Sequence, residues 1–221
     1  MLVSLLVTII SCFGTVPPQH EAIQENSFKD YIKEFTYKNM PFMANREVVY
    51  NLSRVGVDTV TMTYKQNPFP ELKHEYRKFL PKDLIGDHTI SNFRCVYVLP
   101  EHNGTIPVII AMDFFRSGEQ YMLKLFLITY NEEGQILGFI KLGGYYVDLW
   151  EEFFIIQNGQ IKTVNYQFKD APDKNVFTLQ YCLETQKTYK IDSTGHIIKI
   201  GDLSRKGYFK ENGWAGYIFV K

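Results

Sequence analysis

The sequence predicts an α+β domain in which short N-terminal helices are packed on a large curved antiparallel β-meander sheet. Two observations carry this. From about residue 90 onward, short runs rich in Val, Ile, Tyr, Phe and Thr alternate with turn residues, and strands joined this tightly must be antiparallel neighbours. Ahead of them, the clearest helical periodicity is a single apolar stripe near residue 30. Helices followed by a run of strands make an α+β chain, and a sheet of so many strands curls into a half-barrel or splits into two layers. The 17 Phe and 15 Tyr fit a strand-rich chain.

In chain order, Ser27 is a good helix N-cap and Asp30 falls near the positive helix end. Phe28, Tyr31, Ile32 and Phe35 stand at i, i+3, i+4 and i+7, and Pro41 stops the helix. A second short helical piece is expected over 42–52, and the Val/Thr/Tyr alternation of 57–64 predicts a strand. Residues 66–70 form a loop, and the charged stretch 71–79 suits a short surface helix ending before Pro81. Strands are expected at 92–99, 106–114, 120–130, 135–142, 149–157, 160–168, 175–183, 187–192, 197–200 and 213–220. Asn131-Glu-Glu-Gly134 and Asp192-Ser-Thr-Gly195 are turns that open on Asx and close on Gly. Asn158-Gly159 predicts a two-residue hairpin, because both central positions need positive φ.

Composition bounds the function. At 221 residues the chain is long enough for one self-sufficient core. Its 24 basic and 24 acidic side chains cancel, and no basic stripe is visible, which argues against a nucleic-acid partner. Of the three cysteines, Cys95 and Cys182 lie in apolar strand-like runs. They are read as buried free thiols, with a disulfide as the alternative. No Cys/His cluster points to a metal, and no motif calls for a cofactor.

The N-terminus, Met1-Leu-Val-Ser-Leu-Leu-Val-Thr-Ile-Ile-Ser11-Cys12, is an uncharged apolar run ending in a small residue and a cysteine. It reads as the apolar region and cleavage site of an exported protein. Ile9-Ile10-Ser11-Cys12 is similar to a bacterial lipobox, in which the cysteine becomes the lipidated N-terminus. The expected organisation is a signal peptide at 1–11, a flexible Pro- and Gly-containing tether at 12–26 and one domain at 27–221. Two alternatives are an ordinary cleaved signal and a buried N-terminal element with a core cysteine. A transmembrane helix needs ~20 apolar residues, and this run breaks at Gly14, Pro17 and Pro18.

Leu127-Ile-Thr-Tyr-Asn-Glu-Glu-Gly-Gln-Ile136, Gly143-Gly144, Trp150 and Tyr189-Lys-Ile-Asp-Ser-Thr-Gly-His-Ile197 form a pattern, preceded by Phe28-x-x-Tyr-Ile-x-x-Phe35. It resembles uncharacterised cell-envelope lipoproteins of the Bacteroidota type. The resemblance implies an envelope location and carries over no functional residue.

Candidate chemistry is sparse. Glu132-Glu133 and Glu151-Glu152 are sequence neighbours, which on a strand point to opposite faces, so neither pair forms a two-carboxylate site. The histidines His20, His74, His88, His102 and His196 lack partners at ligand spacing, and Ser117 lacks a nucleophile elbow. Asn51-Leu-Ser53 and Asn103-Gly-Thr105 match the glycosylation sequon. The segment with most binding potential is 143–156, where two glycines permit close backbone approach and Tyr145, Tyr146 and Trp150 offer stacking faces with polar handles. The expected function is therefore a lipid-anchored, non-catalytic envelope module. It would attach to a membrane through Cys12 and bind a protein or glycan partner through Tyr145, Tyr146 and Trp150. An envelope hydrolase or an immunity lipoprotein is the alternative.

Overall fold

In the computed structural model the described residues are 27–44, 56–57, 64–65, 69–85, 92–116, 120–145, 149–155, 159–168, 180–211 and 217–220. Cys12, the tether and Tyr146 lie outside them. The architecture is sheet-dominated and mostly antiparallel, with a few short helices.

Helix α1 (Phe28–Lys33) starts where its cap predicts: the Asp30 amide donates to Ser27 Oγ at 3.2 Å, and that hydroxyl donates to the Asp30 carboxylate at 2.7 Å. The helix is shorter than its apolar stripe, because the chain enters strand β1 (Thr36–Tyr37). Of the helical piece expected over 42–52, residues Phe42–Ala44 instead form strand β2, and 45–52 lie outside the described residues. Alternating burial of Phe42 and Ala44 around exposed Met43 has the period of a strand. The single strand expected over 57–64 is also corrected: its two ends belong to different strands, β3 (Gly56–Val57) and β4 (Tyr64–Lys65), which pair antiparallel with Val57 opposite Tyr64. Among the described residues a 3-10 helix (His74–Phe79) and a four-residue helix α2 (Lys82–Ile85) also belong to the helical part.

The meander runs in sequence order: β5 (Asn92–Val98), β6 (Ile106–Arg116), β7 (Gln120–Tyr130), β8 (Ile136–Tyr145), β9 (Leu149–Ile155), β10 (Gln160–Phe168), β11 (Gln180–Ile191), β12 (Ile197–Glu211) and β13 (Tyr217–Val220). β1 joins β5 in parallel, with Thr36 opposite Tyr97. Two strands run through expected breaks. β11 runs unbroken through Glu184-Thr-Gln-Lys187, and β12 continues through Asp202–Lys206 to Glu211. The two polar stretches read as breaks pair with each other across the ladder, Glu184 opposite Arg205 and Lys187 opposite Asp202.

β6 and β7 are buried on both faces. Val108, Ile110, Ile128 and Tyr130 lie in one cluster with Phe28, Tyr31, Phe35, Tyr76 and Leu84 of the helical part. Tyr31 and Tyr130 share a hydrogen bond at 3.2 Å, and the Tyr130 hydroxyl donates to the Phe79 carbonyl at 2.7 Å, so neither buried phenol is orphaned. The alternate residues Ile109, Ala111, Leu125 and Leu127 join Leu142 of β8, Ile161 of β10 and Ile191 of β11 in a second cluster. A flat sheet cannot bring these strands together, so the meander turns back on itself.

The return is pinned at one end. The Thr129 hydroxyl of β7 donates to the Gly195 carbonyl, in the β11–β12 turn, at 2.8 Å. A Cβ on Gly195 would stand 2.6 Å from Thr105 Oγ1 and collide with Leu137 as well. Likewise a Cβ on Gly138 of β8 would lie 3.2 Å from the Ile197 amide of β12.

Turn chemistry sets the registers. In the β7–β8 and β11–β12 turns, Asn131 pairs with Gln135 and Asp192 with His196 through backbone bonds, and Gly134 and Gly195 close the turns at φ 82° and 84°. These are three-residue loops ending in a left-handed glycine. The two-residue hairpin expected at Asn158-Gly159 is corrected. Ile155 pairs with Ile161, leaving the odd-numbered interval 156–160, whereas a two-residue loop needs an even one. Gly159 has φ 71°, and Asn158 lies outside the described residues. A two-residue turn is found at Asn103-Gly104, with φ 52° and 71°, where His102 and Thr105 exchange both backbone bonds at 3.0 Å.

Candidate functional site

β8 and β9 are joined in register at Tyr145 opposite Trp150. Beyond that pair β9 takes β2 as its neighbour, with Phe42 opposite Ile155 and Ala44 opposite Phe153. β8 therefore separates from β9 past their hairpin. A cavity of about 400 Å³ lies where it does so, lined by Ile140, Lys141 and Leu142 of β8, Thr163, Val164 and Asn165 of β10, and Thr185, Lys187 and Tyr189 of β11.

The polar lining follows from the ladder. Asn165 stands opposite Thr185 and Thr163 opposite Lys187, so alternate residues of two neighbouring strands present one set of side chains. The apolar wall belongs to the core, where Leu142 is buried and Ile140 and Tyr189 are packed against it. Burial raises the Tyr189 phenol above its ordinary value, with Lys199 acting against that rise and Asp202 adding to it. Thr185 Oγ1 lies 3.4 Å from Ser204 Oγ of β12. No carboxylate is among the lining residues. Asp202, opposite Lys187, is held in an ion pair with Lys199 at 2.9 Å, which lowers the carboxyl below its usual range.

A separate charged pair lies on the alternate residues of β11. Glu184 is fully buried and receives both arms of the Arg205 guanidinium, at 2.9 and 2.8 Å. The Gln186 side-chain amide also donates to it. Cys182, two residues along, is a buried free thiol, as is Cys95 of β5. Burial pushes these thiols up to about 11 and about 12.

Of the residues singled out in the sequence, Tyr145 and Trp150 are brought together as a cross-strand pair, and Trp150 is also opposite Tyr166. Their side chains, Tyr146 and Cys12 are outside the described residues. Leu142 of the cavity is three positions before Tyr145 on the same strand. Glu132 and Glu133 are exposed in the β7–β8 turn. His102 begins the Asn103-Gly104 turn, and His196 ends the β11–β12 turn with Nδ1 2.8 Å from Thr194 Oγ1. Ser117, His20, His88 and the side chains of Glu151 and Glu152 fall outside the described residues. Among the described residues no group of three or more His, Cys, Asp or Glu could hold a metal ion.

Sequence reasoning missed Thr163, Asn165, Thr185, Lys187 and Tyr189. Their only sequence signal is polar residues at i and i+2 on two strands; on β11 the intervening Gln186 and Thr188 are polar too, and on β10 Thr163 and Asn165 flank a single apolar residue, Val164. Only the inter-strand register selects the set that lines the cavity. Comparison with protein-family models, curated proteins and solved structures finds no match to this chain.

Proposed function

We propose that the protein is a lipid-anchored, non-catalytic binding module of the cell envelope, built on a curved β-meander whose N-terminal helices cover its outer face. The reading rests on one juxtaposition. An apolar run ending in Ile-Ile-Ser-Cys12 precedes a domain whose cavity offers hydroxyl, amide and ammonium groups beside an apolar wall, with no carboxylate in its lining. Catalysis by a pair of acids requires such carboxylates, whereas an apolar wall with a few placed polar groups is the general form of a ligand site. The resemblance to Bacteroidota envelope lipoproteins supports the location. Acyl chains on Cys12 would supply attachment, since one chain alone gives marginal membrane binding and two make it stable. Tyr145, which ends the strand that walls the cavity, its cross-strand partner Trp150, and Tyr146 are assigned to a protein or glycan partner.

Fractionation of expressing cells tests the reading. The native chain is expected with the membranes and Cys12→Ser in the soluble fraction. Equal membrane association of both would refute lipid anchoring. Quenching or a shift of tryptophan emission on adding partner glycans tests the aromatic segment.

A further inference from the structure

We infer that the cavity between β8 and the β10–β11 pair takes an acidic sugar, a pyranose ring bearing a carboxylate such as a uronate. The inference rests on the binding reading above. The lining combines three features that no simpler ligand uses together. Thr163, Asn165 and Thr185 carry groups that both donate and accept hydrogen bonds, and vicinal sugar hydroxyls do the same. A purely apolar ligand would make no use of this donor and acceptor capacity.

Tyr189 presents a half-buried aromatic ring beside Ile140 and Leu142. A flat apolar wall of this kind suits the C–H face of a pyranose ring. Lys187 gives the ligand its charge. It is exposed at the cavity, and the acid opposite it in register, Asp202, is paired with Lys199. An anion there gains a charge-assisted hydrogen bond with no lining carboxylate to repel it. At about 400 Å³ the space is at the small end of ligand pockets, the scale of one sugar unit rather than a chain of them.

Titration calorimetry on the membrane-extracted full-length protein, with glucuronate, glucose and propionate as probes, tests the inference. Glucuronate is expected to bind at least tenfold more tightly than either of the others. Lys187→Ala should weaken glucuronate at least tenfold and leave glucose unchanged, and Lys187→Arg should recover most of the loss. Lys187 is exposed, so these variants keep the fold, which a thermal melt verifies. Glucose binding as tightly as glucuronate would overturn the assigned charge while leaving the cavity a binding site. Propionate matching glucuronate would overturn the sugar. Failure of all three to bind, or glucuronate binding unaffected by Lys187→Ala, would overturn the inference in full. Lipid anchoring fails by a different result, membrane retention of Cys12→Ser.

Discussion

Glu184 is a carboxylate placed where strand burial would otherwise demand an apolar residue. Arg205 resolves that conflict with two hydrogen bonds, and Gln186 adds a third. Removing the guanidinium leaves a buried charge without its partner, which is far more costly than losing a surface pair. Since the Arg205 side chain is 36% exposed, water recovers part of the loss, and Arg205→Ala should destabilise by about 2–3 kcal/mol in urea unfolding. A loss below about 0.5 kcal/mol would show that water alone satisfies Glu184. The two thiols give a second prediction at this scale. With both raised by burial, iodoacetamide at mildly alkaline pH should label neither Cys95 nor Cys182 until the protein is unfolded, because the thiolate is the reacting form. Their burial was legible in the apolar runs around them. The role of Glu184 was not, because local charge reads as a strand break and its partner comes from the next strand.

At the scale of elements, the hairpin turns decide which residues face inward. The left-handed glycines differ in what surrounds them. Gly104 has open space around its missing side chain, whereas Gly195 abuts Thr105 and Leu137. Gly104→Ala should therefore cost about 1 kcal/mol through positive φ alone. Gly195→Ala should cost about 3 kcal/mol or more, because it also forces apart the contact that pins the meander closed. Equal losses in chemical denaturation would deny that contact.

The same turn carries a pH signature. Hydrogen bonds from Thr194, together with the His196 amide, hold the Asp192 carboxyl below its usual 3.8. A carboxyl lowered in the folded state adds stability above its unfolded value and loses it as pH falls toward the folded one. Stability should therefore decline below about pH 4, and less steeply in Asp192→Ala than in the native chain. Turn existence and the closing glycines were legible in the sequence. The strand register beside Gly159 was not, since Asn-Gly suits a two-residue loop and the end of a three-residue loop equally. The ladder settles it by placing Ile155 opposite Ile161.

For the whole molecule, the helical start and the succession of strands followed from periodicity and turn residues. The return of the meander did not. It depends on contacts such as Thr129 with Gly195, made between strands far apart in the order. The cavity arises from that return and from β2 displacing β8 beside β9, a pairing between residues more than a hundred positions apart. No local pattern encodes it, and Phe42–Ala44 does not read as a strand without its partner.

Function at this scale depends on whether the domain is tethered to a membrane through Cys12. Mass analysis of the mature N-terminus from native membranes tests this most directly. The expected result is a chain beginning at Cys12 and carrying a diacylglyceryl group. A chain that retains an intact, unmodified Met1 in cells competent for export would contradict it.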